Sequence, residues 1–421
     1  MKLLHTSDWH LGCKLGLRKR DAEFEQFFKW LIDCIEREQV DVLLICGDIF
    51  DNSNPSSKPQ ELYYNFLGLV AKTRCHNVVV IAGNHDSPSL IDAPKKLLQF
   101  LNIFTIGSIS NNISEEGNTI DDEVLILKDA QNKPILIVCA VPFLRERNIR
   151  TADIGEGIEE KTQKLLRGIH DHYQKVHEIA QQKRGQLDNS IPIIVMGHLF
   201  ASGGKIIEGE DVRERELYVG NLIKVGADTF SSDITYVALG HLHTPQIINN
   251  CKKIRYSGSP LPMGFADAQQ QKSVLLVDII NEKNIDVQEI QVPSFQHIIS
   301  INGTLNEVQL KIAELKKEKS PVWVEIILND SSSNIQDIIY SLVEGSNVEV
   351  LKITNTRMRN RVLQQMEMTE SLDELNVIDV FIRCLEDNQI PEEERDEYIR
   401  SFNEILDDIQ QSDPQEEDFK K

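Results

Sequence analysis

Short apolar runs alternate with longer amphipathic stretches through residues 1–270. Between the first two runs, Phe24, Leu31 and Ile35 fall on one face of a helix. A second long helix is predicted over residues 155–184. Runs typical of buried strands occupy residues 2–6, 40–46, 77–81, 135–140, 191–196 and 234–239. This succession of strands and helices predicts a layered α/β domain.

The pattern changes beyond residue 270. Two runs at 273–280 and 285–292 predict a hairpin, and the strands and helices that follow predict a small α+β domain. The last segment predicts a pair of amphipathic helices, separated by a turn at 388–391. We therefore divide the chain into an α/β domain over 1–270, a capping α+β domain over 271–366 and a helical segment over 367–421.

The formal net charge of −21 is unevenly distributed, because residues 370–421 contain 18 acidic and 5 basic residues. An anionic segment repels nucleic acid, which argues against tight DNA binding by this part of the chain. Its apolar stripes and acidic surface instead favour a protein partner with a basic docking surface. The alternative is that the two helices fold back and complete the core.

The N-terminal sequence, the lengths of the apolar runs and the cysteines indicate the cellular compartment of the protein. The sequence turns polar at His5 and contains no run of about 20 apolar residues that could cross a membrane. Its seven cysteines form no CxxC pair, which is typical of reduced thiols. We expect a cytoplasmic protein that does not associate with membranes.

Five apolar runs end in turns that carry histidine, aspartate or asparagine. These residues are Asp8, His10, Asp48, Asp51, Asn84, His85, Asp86, His198, His241 and His243. Because strand ends share one edge in layered α/β folds, the side chains are expected to converge. Carboxylates and imidazoles suit a pair of divalent cations about 3.5–4 Å apart. A ligand set without thiolates favours Mn²⁺, Fe or Zn²⁺ over Ca²⁺. Each turn alone is more typical of a cap, but five together favour a metal site.

The order of these motifs, DxH, GDxxD, GNHD, GH and GHxH, resembles the calcineurin-like metallophosphoesterase superfamily. The stretches GDIFDNSNPS, VVVIAGNHDSP, MGHLFASGG, YVALGHLHTPQ and YSGSPLPMGF are similar to the exonuclease subunits of bacterial SbcCD complexes. The resemblance covers residues 1–270, and the later parts agree in layout. Asn52-Ser53-Asn54 stands where the protein-phosphatase branch has an Arg-Gly, which argues against that branch. The implied fold is a calcineurin-like sandwich with a small α+β capping domain and a C-terminal helix pair.

The resemblance also implies a role for each site residue. The first cation would be held by Asp8, His10 and His243, and the second by Asn84, His198 and His241. Asp48 would bridge the two cations, which in this family are usually Mn²⁺. His85 would face the scissile phosphate, with Asp51 as its orienting partner. Asp86 would orient its own turn.

The implied activity is a metal-dependent DNA nuclease that acts in repair, recombination and replication. It would combine an ATP-dependent 3′–5′ exonuclease on double-stranded ends and hairpins with a single-strand endonuclease. Because the chain lacks a GxxxxGK[ST] motif, ATP would be bound by a coiled-coil ATPase partner of the SbcC type. That partner is expected to dock on residues 367–421, and two nuclease subunits are expected to form a homodimer within a heterotetramer.

Two other functions stay open at this point. The site could serve a phosphodiesterase for a small substrate that needs no ATPase. It could also be a scaffold that has lost catalysis, although the intact set of ligands and His85 argue against this.

For other arginines and histidines, the sequence gives weaker evidence of a functional role. Arg145 and Arg147 in VPFLRERNIR are equally consistent with phosphate contacts and with an exposed charged loop. His170, His172 and His177 lie on a helix rich in lysine, glutamine and glutamate, which predicts a solvated face.

Overall fold

The computed structural model describes residues 1–109, 120–150, 157–205, 224–328 and 335–355, together with six residues near the C terminus. Those six are Phe381, Ile382, Arg395, Tyr398, Ile399 and Phe402. The chain divides into one compact unit of residues 1–300 and 320–324 and another of residues 301–319 and 325–421. The rest of the predicted helical segment over 367–421 lies outside the described residues. Among the six described residues of this segment, the rings of Phe381 and Phe402 stack with their centroids 4.0 Å apart.

The strands and helices of the described residues are numbered along the chain. The strands are β1 (Lys2–Thr6), β2 (Lys14–Leu15), β3 (Arg18–Lys19), β4 (Val42–Cys46), β5 (Asn77–Ile81), β6 (Ile103–Ile106), β7 (Val124–Lys128), β8 (Pro134–Ala140), β9 (Ile193–His198), β10 (Tyr236–Gly240), β11 (Gln246–Ile248), β12 (Cys251–Tyr256), β13 (Ser273–Ile279), β14 (Ile285–Gln291), β15 (His297–Gly303), β16 (Val322–Leu328) and β17 (Val348–Asn355). The helices are α1 (Asp21–Glu38), α2 (Ser57–Val70), α3 (Pro88–Asp92), α4 (Lys95–Gln99), α5 (Glu146–Ile149), α6 (Ile158–Leu187), α7 (Leu305–Leu315) and α8 (Ile335–Val343).

Two six-stranded sheets pack face to face in the first unit. Their strand orders are β14-β13-β1-β4-β5-β6 and β11-β12-β10-β9-β8-β7. Strands β1, β4, β5 and β6 are parallel to one another, as are β8, β9, β10 and β12. Leu44 and Val79 of the first sheet and Val138 and Met196 of the second belong to one buried apolar cluster. Burial on both faces explains why these strands are continuously apolar.

Helices cover the outer face of each sheet. Phe24 of α1 and Phe66 of α2 share an apolar cluster with strand residues of the first sheet. Tyr173 and Val176 of α6 do the same on the second sheet. The apolar stripe of α1 is buried as its period predicts, and the helix ends at Gln39 in a left-handed conformation. The helix–sheet–sheet–helix layering confirms the predicted α/β fold class.

The predicted hairpin after residue 270 is present as β13 and β14. Strand β13 also pairs antiparallel with β1, for example Leu3 with Val277, and so extends the first sheet. The residues that follow contain α7 and α8, with a three-stranded sheet in the order β15-β16-β17. A capping box between Thr304 and Glu307 starts α7. Among the described residues, we find no helix that combines the length and the apolarity needed to span a bilayer.

A buried histidine connects the two sheets. His5 of β1 donates from Nε2 to the Leu239 carbonyl at 3.2 Å, because a carbonyl can only accept. Its Nδ1, 3.0 Å from the Tyr236 hydroxyl, is therefore the acceptor of that hydrogen bond. Burial lowers the pKa of His5 from its ordinary value of 6.5 to about 3, since a charged ring between the sheets would lose its hydration.

This histidine is expected to make stability depend on pH. The unfolded chain takes up a proton at His5 below pH 6.5 but the folded chain does not, so stability falls as the pH drops from 6.5 towards 3. The loss at pH 5 is about 2 kcal/mol. Urea unfolding of the metal-free protein from pH 7 to pH 5 should show a shallower pH dependence for His5→Gln than for wild type. His76→Gln, at a half-buried histidine away from the sheet interface, serves as the control. Equal slopes for wild type and His5→Gln would contradict the assignment.

Candidate metal centre

The predicted ligands lie at the carboxyl ends of five parallel strands. Asp8, Asp48 and Asn84 follow β1, β4 and β5 by two or three residues. His198 is the last residue of β9, and His241 immediately follows β10. Because β1, β4 and β5 are parallel in one sheet, β9 and β10 are parallel in the other, and the two sheets are stacked, these ends meet at one rim of the sandwich.

The ligand atoms form three overlapping groups, in each of which all atoms lie within 4.8 Å of one another. The groups are Asp8 with His10 and His243, His10 with Asp48 and His85, and Asp48 with His198 and His241. Asp48 belongs to two of the groups and connects them.

Several of these residues have a backbone conformation that is uncommon for side chains other than glycine. Asp8, His10 and Asp48 have φ angles of 53°, 50° and 49°, and His241 has 103°. Backbone hydrogen bonds hold the turns, from Asp8 N to Gly47 O and from His10 N to Asp48 O, both at 3.0 Å. Strained residues persist where the surrounding structure fixes them, and they cluster at functional sites.

Two glycines allow the loops to approach one another. A Cβ on Gly83 would lie 2.1 Å from Asp48 Oδ1, and one on Gly240 would lie 1.9 Å from the Cys46 carbonyl. Any larger residue at either position would displace the backbone next to a ligand.

The first cluster consists of Asp8, His10 and His243. The Nε2 atoms of the two histidines face each other at 3.2 Å. The Asp8 carboxylate accepts the backbone N–H of His241 at 2.9 and 3.1 Å and the hydroxyl of Ser7. Burial, opposed by the charge of His198, raises the pKa of Asp8 to about 7. Burial also lowers the pKa of His243 to about 4, so its ring is neutral at pH 7 and offers a lone pair to a cation.

The second cluster consists of Asn84, His198 and His241. Asn84 Oδ1 lies 3.0 Å from His198 Nε2 and 3.2 Å from His241 Nδ1. Burial lowers the pKa of His241 to about 3. Burial opposes protonation of His198 too, but the nearby Asp48 carboxylate outweighs it and raises the pKa to about 9. A cation bound here would displace that proton.

Asp48 lies between the clusters. Its Oδ2 is 3.2 Å from His198 Nε2 and 3.7 Å from His10 Nε2. Although burial raises the pKa of this carboxyl, the charges of His198 and His85 hold it well below its usual range. Asp8 and Asp48 are both buried among imidazoles. Two carboxylates in such a place are costly unless a cation neutralises them, so the donor set fits a pair of divalent metal ions.

His85 lies beside the ligands and is half-buried. Its backbone N–H donates to Asp48 Oδ1 at 2.9 Å, and its Nδ1 lies 2.9 Å from the backbone carbonyl of Asp51. The Asp51 carboxylate instead lies 3.7 Å from His10 Nδ1. The contact between Asp51 and the His85 ring thus runs through the main chain of Asp51.

Asp86 and Arg145 hold the loop that carries His85. The Asp86 carboxylate accepts backbone N–H groups of Gly83, Phe50 and Ile49 at 2.8, 2.9 and 3.2 Å. Arg145 Nη2 donates to the Asp86 carbonyl at 3.0 Å and to the Asn84 carbonyl at 3.5 Å. The side chain of Arg147 lies outside the described residues, and phosphate binding by Arg145 and Arg147 stays a prediction.

Two histidines of α6 do not form the solvated face that the sequence predicts. His172 Nε2 lies 2.8 Å from Glu123 Oε2, and His177 Nε2 lies 3.0 Å from Asp233 Oδ1. Both imidazoles are nearly enclosed. The prediction was wrong because the acidic partners are distant in sequence and come together with α6 only in the folded domain.

Several residues outside the predicted set of ligands support the first cluster. Ser7 links Asp8 to Ser257 through hydroxyl groups 2.8 Å apart. Lys272 donates to the backbone carbonyl of His243 at 3.2 Å and pairs with Asp267. Ser257 falls within the stretch YSGSPLPMGF, but no motif marks Asp267 or Lys272, and a lysine before an apolar run is more typical of the surface.

The chain is similar to known protein families along most of its length. Residues 1–245 match the family described as calcineurin-like phosphoesterase, and residues 294–389 match a family described as type 5 capsule protein repressor C-terminal domain. The chain is 34% identical over 411 residues to the SbcD subunit of nuclease SbcCD from Escherichia coli, covering 96% of this chain and 98% of that protein. The SbcD subunit from Bacillus subtilis is 30% identical over 338 residues, covering 79% and 81%. The corresponding protein of Rhodobacter capsulatus is 33% identical over 282 residues, covering 66% of each chain.

The fold and the site define a calcineurin-like metallophosphoesterase. The chain belongs, within that class, to the family of SbcD subunits of SbcCD nucleases. The predicted family and the predicted enzyme class, a metal-dependent phosphodiesterase, are confirmed.

Proposed function

We propose that this protein is the Mn²⁺-dependent nuclease subunit of an SbcCD-type complex. Its substrate would be DNA. The enzyme would act as an ATP-dependent 3′–5′ exonuclease on double-stranded ends and hairpins and as an endonuclease on single strands. These activities would serve DNA repair, recombination and replication. The observation that carries the proposal is the convergence of seven donor side chains into two clusters joined by Asp48. The relatives' names describe nucleases, which supports extending the substrate from phosphodiesters in general to nucleic acids.

The mechanism follows from the placement of the side chains. One cation would be held by Asp8, His10 and His243. The other would be held by Asn84, His198 and His241, and Asp48 would bind both cations. Bound divalent cations supply an activated water and neutralise charge on the phosphate. A set of carboxylates, imidazoles and one amide suits Mn²⁺.

His85 would act on the substrate from beside the metal ligands. When its Nδ1 donates to the Asp51 carbonyl, its Nε2 is directed away from that loop. From Nε2, an imidazolium can donate a hydrogen bond to a phosphate oxygen or protonate the leaving sugar oxygen. Asp51 fixes the orientation of the ring through its main chain.

An exposed cationic hairpin next to the site supports a DNA substrate. Strands β2 and β3 present Lys14, Arg18 and Lys19 to solvent, and Leu17 at the tip is 96% exposed. The chain reaches this hairpin directly after His10, whose carbonyl accepts the Cys13 N–H at 3.0 Å. The net charge of the chain is −21, but these three basic side chains beside the metal centre provide local contacts for phosphates.

A homodimer is supported by an apolar surface at the end of α4. Leu97, Phe100 and Leu101, spaced to share one face, are 69%, 87% and 48% exposed. Large apolar side chains grouped on a surface mark interaction sites. We place the contact between two nuclease subunits of the heterotetramer here.

The proposed compartment is the cytoplasm. The described cysteines, Cys13, Cys34, Cys46, Cys75, Cys139 and Cys251, are free thiols. Free thiols are typical of a reducing compartment.

The acidic segment is proposed to bind the ATPase subunit. Deleting residues 370–421 is expected to leave a folded protein that binds Mn²⁺ but no longer copurifies with a coexpressed SbcC-type ATPase. Retained copurification would place the contact elsewhere. A variant with glutamines at the lysines of the C-terminal dipeptide, Lys420→Gln and Lys421→Gln, is the control that leaves both helical stripes intact.

The proposed function is tested with two substrates. The metal-stripped protein, reloaded with Mn²⁺, should hydrolyse bis-p-nitrophenyl phosphate on its own. Together with the ATPase it should cut labelled hairpin and blocked-end DNA, and the cutting of double-stranded ends should require ATP. Rapid hydrolysis of a cyclic nucleotide with no cleavage of DNA under either condition would favour the small-substrate phosphodiesterase instead.

A further inference from the structure

Lys272 and Asp267 form a buried ion pair outside the set of metal ligands. Lys272 Nζ lies 2.6 Å from Asp267 Oδ2, and the two residues are 3% and 1% exposed. Nζ also donates to the Ser259 hydroxyl at 3.1 Å and to the His243 carbonyl at 3.2 Å. An ammonium has three N–H groups, so each of them has an acceptor here.

The same carbonyl of His243 is approached from a second side. Ser259 N donates to it at 3.1 Å. Gly258, with φ +73°, comes so close that a Cβ would lie 2.7 Å from that oxygen. The main chain of His243 is therefore enclosed by two segments, and its imidazole faces His10 across 3.2 Å.

Asp267 is fixed as well. Its carboxylate accepts the backbone N–H of Met263 at 3.0 Å and of Gly264 at 2.8 Å. The ion pair and these two hydrogen bonds thus fix the loop between Met263 and Lys272, unlike a surface ion pair whose side chains can move. Buried ion pairs contribute little net stability compared with apolar residues of similar volume. Stability alone does not explain a lysine at this place.

We propose that Lys272 is a positioning residue for the first cation, because its ammonium, balanced by Asp267, fixes the main chain of His243 and thereby the imidazole that faces His10. This inference rests on the metal centre of the proposed function. Contacts one step outside the ligands typically change metal affinity by about 10–100-fold. The second cluster is oriented through a different contact, from His198 Nδ1 to the Cys46 carbonyl at 2.8 Å. The effect of Lys272 is therefore selective for one of the two cations.

The test is a Mn²⁺ titration of the metal-free, full-length protein by calorimetry. The double variant Lys272→Met/Asp267→Asn removes both charges. The single oxygen of asparagine keeps an acceptor for one of the two backbone N–H groups, because Met263 N donates to Oδ2 and Gly264 N to Oδ1. One of the two Mn²⁺ ions should bind about 10–100-fold more weakly, and the other as in wild type. The urea midpoint of the metal-free protein measures the stability lost with the second acceptor, so that a change in Mn²⁺ affinity is separated from partial unfolding.

Two further variants complete the design. His243→Gln provides the reference for loss of the first cation. Lys253→Met removes a comparable hydrogen bond, from a lysine to the Ile234 carbonyl at 3.2 Å, and should leave both affinities unchanged. If the double variant does not fold, Lys272→Arg keeps the charge balance but changes the size and the donor geometry of the cationic group, and the same selective loss is expected.

The outcomes separate this inference from the proposed function. If the folded double variant binds both Mn²⁺ ions as tightly as wild type, or weakens both equally, Lys272 does not position the first cation, and the proposed function stands. If wild type itself binds no Mn²⁺, the proposed metal centre fails and the inference fails with it.

Discussion

Asp48→Ala is expected to abolish binding of both divalent cations and to reduce phosphodiester hydrolysis by at least about 10³-fold. The reason is the position of Asp48, whose Oδ2 lies 3.2 Å from His198 and 3.7 Å from His10, between the two clusters. Its Oδ1 also holds the backbone of His85, so the loss affects the residue that would contact the substrate. Elemental analysis for manganese and the rate with bis-p-nitrophenyl phosphate measure both effects.

A matched acid-to-alanine control is available on the edge strand β14. Asp286→Ala removes an exposed carboxylate of the first unit and should leave the manganese content and the rate unchanged. Two manganese ions still bound to Asp48→Ala, at wild-type affinity, would show that Asp48 does not bridge the clusters.

His85→Gln is expected to keep both cations while losing about 10²–10⁴-fold of the rate on DNA. Its ring lies against the Asp51 carbonyl, and its backbone N–H donates to the Asp48 carboxylate, a hydrogen bond that glutamine retains. If His85 protonates the leaving sugar oxygen, the loss should be much smaller with bis-p-nitrophenyl phosphate, whose leaving group needs no proton. An equal loss on both substrates would indicate stabilisation of charge on the phosphate.

The control for this variant is His76→Gln, which changes a histidine outside the site in the same way. Cleavage of DNA by His85→Gln at the wild-type rate would remove His85 from the mechanism. Loss of bound manganese from His85→Gln would instead assign it a role as a ligand.

The site could be predicted from the sequence because its residues directly follow apolar runs. A run such as 42–46 fixes the position of its own strand, and the rule that parallel strand ends share an edge then brings Asp48 near Asp8 and His241. The identity of the partner atoms could not be predicted in this way. That Asp51 contacts His85 through its carbonyl depends on the path of the loop after β4.

Contacts between segments that are distant along the chain could not be predicted from the sequence either. Lys272 reaches His243 only because β13 pairs with β1 and starts beside the loop after β10. Likewise, Glu123 and His172 are 49 residues apart and meet because α6 packs over the short helical turn that precedes β7. Neither pairing has a local signal such as a turn, a cap or a periodic stripe.

The pairing of β13 with β1 has a consequence for synthesis of the chain. Strand β1 is made first, yet one of its two neighbours in the sheet, Ser273–Ile279, is made more than 260 residues later. Until that strand leaves the ribosome, the backbone groups on one side of β1 have no partner, and an unpaired strand edge invites aggregation. A nascent or truncated chain that stops at residue 270 would therefore depend on chaperones even though every metal ligand has already been translated.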